Sequence, residues 1–243
     1  MPEPSSKPPN PNEFPLTRWS LLRRLGADES KVAGDALEAL CQAYWYPLYA
    51  FLRRTGYNPD EAQDWTQGFF HYLLETELLT KADPTKGRFR SFLLGSLRNY
   101  LSSEHRRLGA AKRGGGKPLI SLDEQAEARY SLEPLESHTP ESLFELSWAH
   151  TVLARTMACL EQEYSGKHDW FLHLRPYLQS GPDSPSYRQT ALALGKTEDA
   201  VKSGVQRLRQ RFQQLLRAQI AGTVQSVADI EDELRHLRAV LSS

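Results

Sequence analysis

The sequence predicts an all-α protein: two small helical domains joined by an acidic linker, with a further helix at the C-terminus. Three observations predict it. Apolar residues recur at helical spacing along most of the chain, no run alternates with the period of a strand, and no Asn-Gly or Asp-Gly pair offers a hairpin turn. The 243 residues are 40% hydrophobic, enough for a packed core. Basic and acidic residues number 30 each, so any nucleic-acid binding has to come from local segregation of charge. No apolar run approaches the roughly 18 residues of a membrane span. The stretch Met1 to Pro11 carries five prolines and lacks the apolar centre of a signal peptide. Cys41 and Cys159 each sit inside a helical pattern and imply no disulfide framework. Secreted, membrane-spanning and disulfide-stapled classes are excluded on these grounds. The expectation is a cytoplasmic protein.

Residues 1–15 read as a disordered Pro-rich leader. The first domain, 16–110, opens on Leu37, Leu40, Tyr44, Leu48 and Phe51, one face of an amphipathic helix that Pro47 is expected to kink or interrupt. A second helix begins at Asn58, a suitable N-cap, with Pro59 at the first position and Asp60 and Glu61 at the positive end of the dipole. Ala62, Trp65, Phe69 and Leu73 form its buried stripe. A third helix spans Phe89 to Arg107, with Phe92, Leu93, Leu97, Tyr100 and Leu101 on one side. Residues 111–145 have the composition of a linker. They hold Gly114-Gly115-Gly116, Pro118 and, from 119 to 145, seven acids against Arg129 alone. Helical spacing resumes at Leu146, Ala149, Leu153, Thr156 and Leu160, giving a second domain over 146–218. Over 219–243 an amphipathic helix is predicted from Val224, Val227, Ile230, Leu234, Leu237 and Leu241. Alone it would be marginal in water, so its stripe needs a surface, either its own domain or the interface between the two.

Charge is segregated onto two segments. Lys86, Arg88, Arg90, Arg98, Arg106, Arg107, Lys112, Arg113 and Lys117 are opposed only by Glu104; Lys202, Arg207, Arg209, Arg211 and Arg217 are opposed by no acid. Such stretches can neutralise phosphates and release counterions. The second one belongs to a helix-turn-helix pattern. Ser186 and Gln189 make a capping box, Ala191 is small where helices cross, and Gly195 supplies the left-handed residue at the turn. Thr197 caps the following helix, whose stripe Val201, Val205, Leu208, Phe212 and Leu215 faces inward. Lys202, Ser203, Gln206, Arg207 and Arg209 are left on the outer face, where they can meet a major groove.

The chain resembles a bacterial sigma-70-family factor of the extracytoplasmic-function (ECF) type, built from sigma-2 and sigma-4 regions. Asn58 to Phe70 is similar to region 2.2, whose pattern of an acid, a Gln and a Phe at intervals of three falls on Asp64, Gln67 and Phe70. Gly87 to Leu94, followed by Leu97-Arg-Asn99, resembles regions 2.3 and 2.4. Ser186 to Arg207 resembles the region 4.2 helix-turn-helix, and the three motifs stand in the family's order. Thr190, Ala200 and the stretch Glu161 to Leu178 depart from that pattern. The resemblance implies core RNA polymerase binding through Asp64, Gln67 and Phe70. It implies −10 recognition and opening near Arg88, Phe89, Arg90, Phe92, Arg98, Asn99, Arg106 and Arg107, and −35 contact through Lys202, Ser203, Gln206, Arg207 and Arg209. Core polymerase and promoter DNA are the implied partners, and an anti-sigma factor is a further partner the family allows.

No enzymatic chemistry is expected. His168 and His173 are five apart, not the four that share a helical face, and no Cys pair accompanies them. The triple glycine lacks the Lys-Ser/Thr of a phosphate loop. Neither a Ser-His-Asp nor a Cys-His arrangement can be placed. The expectation is no catalytic residue, no metal, no cofactor and no small-molecule substrate. The alternative reading is a helix-turn-helix regulator, or a sigma-like interaction module without initiation activity.

Overall fold

The computed structural model describes residues 30–76, 78–81, 87–110, 125–133, 138–179, 185–221, 224 and 227–242. The leader 1–15 and the triple glycine lie outside them, as do Lys86, Lys112, Arg113 and Lys117. Every regular element among the described residues is a helix. In order these are α1 (Ser30–Arg54), α2 (Pro59–Glu75), α3 (Phe89–Ala110), α4 (Ala126–Tyr130) and α5 (Pro140–Glu163). They continue with α6 (His168–Leu174), α7 (Tyr187–Leu194), α8 (Glu198–Ala221) and α9 (Val227–Leu241), and short 3-10 turns intervene. None is long and apolar enough to cross a membrane.

The N-termini follow the local sequence. Asn58 Oδ1 accepts from the Glu61 amide at 2.9 Å while the Glu61 carboxylate accepts from the Asn58 amide at 3.1 Å, closing the box that starts α2. Thr139 Oγ1 accepts from the Ser142 amide at 3.1 Å and Pro140 follows, which starts α5. Helix α1, by contrast, runs through Pro47 without the expected interruption. Proline in a helix interior costs about 3 kcal/mol. Here tertiary burial offsets it, because every residue from Ala43 to Leu52 is buried. A helix buried all round is not a surface helix with one stripe.

The cover for α1 comes from α2, from the start of α3, and from the span expected as a linker. The Tyr44 ring meets Phe89 edge-on at 5.5 Å, and Tyr49 meets Tyr130 of α4 edge-on at 6.5 Å. Leu143, Phe144, Trp148 and Ala149 of α5 join the same core. Acids that read as linker charge are used as partners. Glu127 accepts from Arg53 Nε and Nη2, both at 2.9 Å, and from the Tyr49 hydroxyl at 2.6 Å. Glu133 accepts from the Tyr46 hydroxyl at 2.8 Å, and Arg54 Nε donates to the His138 carbonyl at 2.8 Å.

A second core gathers Leu160, Phe171, Leu174, Tyr177, Ala191, Val201, Val205 and Leu208. The two cores are continuous through α5 and α8. Helix α5 gives Phe144 and Trp148 to the first and Leu160 to the second; α8 gives Val201 and Val205 to the second and Ile220 to the first. The boundary drawn at 145/146 falls inside α5, and α8 extends to Ala221. Residues 219–243 are therefore not one helix, and α9 starts at Val227. It packs on α5 and α8 with Leu234 and Leu237 in the first core; Leu241 is exposed.

Glu127 carries a pH prediction. Its carboxyl is held below the ordinary 4.5, chiefly by the Arg53 hydrogen bonds, with a further contribution from Tyr49. A depressed carboxyl pKa contributes stability above the unfolded value and loses it as pH falls through the folded one. Glu127→Gln is expected to be less stable than the native chain at neutral pH. That deficit should shrink to nothing below the folded-state pKa, as read by urea unfolding over a pH series.

Candidate nucleic-acid interface

Helix α7 is followed, after Gly195, Lys196 and Thr197, by the longer helix α8. Ser186 Oγ accepts from the Gln189 amide at 3.2 Å, and Gln189 Oε1 accepts from the Ser186 amide at 3.1 Å. Gly195 ends α7 with φ +59°, and the Lys196 amide donates back to the Ala191 carbonyl at 2.9 Å. That left-handed residue followed by a return bond is the usual glycine stop. Thr197 Oγ1 then accepts from the Ala200 amide at 3.2 Å to start α8. Val201, Gly204, Val205 and Leu208 are buried, which turns Lys202, Ser203, Gln206 and Arg207 outward.

Thr190 and the 161–178 stretch have local roles. Thr190 is buried, and its hydroxyl pairs with the Tyr177 hydroxyl at 2.8 Å. The Tyr177 ring stacks on Tyr187 with centroids 5.0 Å apart and planes within 2°. The 161–178 stretch thus supplies the buttress for α7, through Tyr177, and for α8, through Trp170. A Cβ on Gly204 would stand 2.5 Å from Trp170 Cζ2 and 3.0 Å from Leu174 Cδ1, so only glycine lets α6 and α8 approach this closely. Arg209 is not a free outer cation. Its Nε and Nη2 donate to the Tyr177 carbonyl at 3.0 and 2.8 Å. Beside it, Tyr187, Lys202, Gln206, Arg209, Gln210 and Gln213 line an open groove of about 410 Å³.

On α3 the predicted site residues divide. Arg98, Asn99, Arg106 and Arg107 are exposed. Arg98 pairs with Glu141 and lies 5.4 Å from the centre of the Phe51 ring. Arg107 pairs with Glu104 at 2.6 Å, and Arg106 Nε donates to the Ser102 carbonyl at 3.1 Å. Phe89 is buried and Phe92 half-buried in the first core. Arg90 is only 2% exposed. Its Nε donates to Glu145 at 2.6 Å and its Nη1 to Glu233 of α9 at 2.5 Å, with the guanidinium 4.4 Å from the Trp148 ring centre. Arg88 approaches the same Glu233 carboxylate at 3.5 Å.

On α2 the buried arc is Ala62, Thr66, Gln67, Phe69, Phe70 and Leu73, with Trp65 half-buried. Asp64 points away from it and is exposed. Gln67, expected to face outward beside Asp64, is 6% exposed, and Phe70 is 4% exposed. The reason is the side on which α2 is covered. The arc extends from the predicted stripe past Phe70 as far as Gln67, and Asp64 lies on the opposite side. Helical periodicity defined the stripe but not the flank that a neighbour would add.

One cluster had no signal in the sequence. Tyr57 stacks on His105 with its hydroxyl 2.7 Å from Nε2, and Trp65 and Tyr100 continue the contact between α2 and α3. Burial, reinforced by Glu104, pushes the Tyr100 hydroxyl up to about 12. Tyr57 and His105 are 48 residues apart, so no spacing rule relates them. Among the described residues no group of His, Cys, Asp and Glu could hold a metal ion.

Two sets of variants separate framework from interface. Gly204→Ala is expected to cost about 1–3 kcal/mol in thermal or urea unfolding, the usual penalty of overpacking. Arg209→Ala should lower stability by about 1 kcal/mol through the lost Tyr177 bonds. Arg207→Ala, whose side chain makes no ion pair among the described residues, should leave unfolding unchanged and weaken DNA binding instead. A stability loss for Arg207→Ala equal to that of Arg209→Ala would remove Arg207 from the interface. Compared with known proteins, the chain matches no family model, no curated protein and no solved structure.

Proposed function

We propose that the chain is a sigma factor of the ECF type: a cytoplasmic, non-enzymatic subunit that binds core RNA polymerase and directs it to promoter DNA. The observation that carries this reading is the outer face of α8. Lys202, Ser203, Gln206 and Arg207 project together from a helix started by Thr197 and buttressed by Trp170 and Tyr177. Arg and Lys can bond guanine or phosphate, and Ser and Gln suit base edges or backbone. The exposed cations of α3, Arg98, Arg106 and Arg107, suit a second stretch of the same DNA. Asp64, exposed on α2, is the residue of the region 2.2 pattern left available to polymerase.

Initiation by this route needs no covalent chemistry. Bases leave the stack at a cost of a few kcal/mol, which cations along the displaced strand offset. A second reading is favoured by a specific observation: Gln67, Phe70 and Arg90, all assigned to initiation by resemblance, are buried. A regulator that binds DNA through α8 alone would have no use for them.

Run-off transcription with purified core polymerase and selected promoter DNA separates the two. The sigma reading expects a discrete transcript that depends on the chain, and Asp64→Ala should reduce it with thermal stability unchanged. DNA binding without any transcript would favour the regulator, and a transcript indifferent to Asp64→Ala together with unaltered core affinity would remove Asp64 from the polymerase contact.

A further inference from the structure

Both basic segments meet carboxylates of the chain itself. Glu233 of α9 holds Arg90 at 2.5 Å and Arg88 at 3.5 Å, and Glu231, two residues earlier, pairs with Arg217 of α8. From α5, Glu145 reaches Arg90 at 2.6 Å. These are the contacts that a nucleic-acid strand would make with the same cations, since a guanidinium receives a carboxylate or a phosphate with one fork geometry. We propose that α9 is an internal competitor for DNA: its carboxylates occupy Arg88, Arg90 and Arg217, and DNA gains those cations only when α9 moves aside. The inference rests on the DNA-binding reading of α3 and α8 given above.

Three further features support it. Glu233 is 2% exposed, so the acid facing Arg90 is desolvated together with it. Such a pair holds an element in one place far more firmly than an exposed pair does, because separating it strands a buried charge. Second, Arg90 Nη2 has no hydrogen-bond partner among the described residues. The two carboxylates leave unused a donor that the several oxygens of a phosphate could take. Third, the helix that carries the acids is a small unit. Val227–Leu241 buries Leu234 and Leu237, half-buries Ile230 and leaves Leu241 exposed. A helix of this length is marginal without its docking surface, so the contacts made there are what hold it in place.

A plainer role for α9, completing the core with Leu234 and Leu237, makes an opposite prediction about charge. Neutralising the acids would then cost stability without any gain in DNA binding. The test measures fluorescence anisotropy of a labelled duplex and a labelled single strand, both of arbitrary sequence, across a salt series. It compares the full chain with Glu231→Gln and with Glu231→Gln/Glu233→Gln. Each cation released to a phosphate steepens the slope of log K against log salt by about 0.7–0.9. Glu231→Gln is expected to steepen it by about that amount through Arg217, and the double variant by about 2–3, with roughly tenfold tighter binding at low salt.

Adding Arg217→Ala to Glu231→Gln should cancel the gain. An unchanged slope in Glu231→Gln, or a gain that survives Arg217→Ala, overturns the inference. Glu231 and Arg217 are both about half exposed, so this arm does not depend on the buried Glu233 variant folding. The assay contains no polymerase. A chain that shows the steeper slopes but supports no run-off transcript loses the sigma reading and keeps the inference. Transcripts with unchanged slopes would do the reverse.

Discussion

The burial of the Ala43–Leu52 stretch of α1 on every side is the constraint from which the rest of the architecture follows. Ten consecutive residues, Ala43 to Leu52, are shielded from solvent, and they include Trp45, Tyr46, Tyr49 and Phe51. Burying an aromatic side chain is worth roughly 4–6 kcal/mol as an upper value, taking about 25 cal/mol for each of its 150–250 Å². Helices α2 and α3 cover part of the circumference. The remainder is supplied by Ala126 and Tyr130 of α4 and by Leu143, Phe144 and Trp148 of α5. Residues rich in acids are drawn against the first core for this reason, and Arg53, Tyr46 and Tyr49 stand where their carboxylates arrive. Core formation therefore joins segments that a reading by composition keeps apart.

Electrostatic contacts then differ in kind, and burial decides which matter. Arg107–Glu104 and Arg235–Asp232 are exposed pairs three residues apart on their own helices, a class worth about 0–1 kcal/mol. Arg90–Glu233 joins residues 143 apart in the chain and is closed from water on both sides. Breaking a pair of that sort by removing one partner costs about 3–5 kcal/mol. The apolar stripe of α9 sets no position by charge; Glu233 is matched to the place where Arg90 stands. Docking of α9 thus combines the buried ion pair with the apolar contacts of Leu234 and Leu237.

Sharing α5 and α8 between the cores also ties the outer face of α8 to both of them. The face of α8 that projects Lys202, Ser203, Gln206 and Arg207 belongs to the same continuous helix as Ile220, which packs in the first core. Gly204 against Trp170 and Arg209 on the Tyr177 carbonyl hold the middle of that helix to the second core. The outward residues are accordingly positioned by contacts on their opposite side. That outer face needs few side-chain contacts of its own.

Local interactions were legible in the sequence because both partners lie within a few residues of each other. The all-α class, the N-cap at Asn58, the capping box at Ser186, the Gly195 stop and the outward face of α8 depend on spacings of three or four. A single sequence displays such spacings directly. What only the tertiary structure decided involves partners far apart in the chain. Gln67 and Phe70 are inside because of the side on which α2 is covered, and the Ala43–Leu52 stretch of α1 has no solvent face at all. Pro47 is tolerated within that helix, and the cluster of Tyr57 with His105 forms across 48 residues. Charge is the sharpest case. Composition records Glu127, Glu145 and Glu233 as acids and Arg53 and Arg90 as bases, whether solvated or paired. Their pairing is set by which apolar surfaces must close first, and no local pattern encodes that.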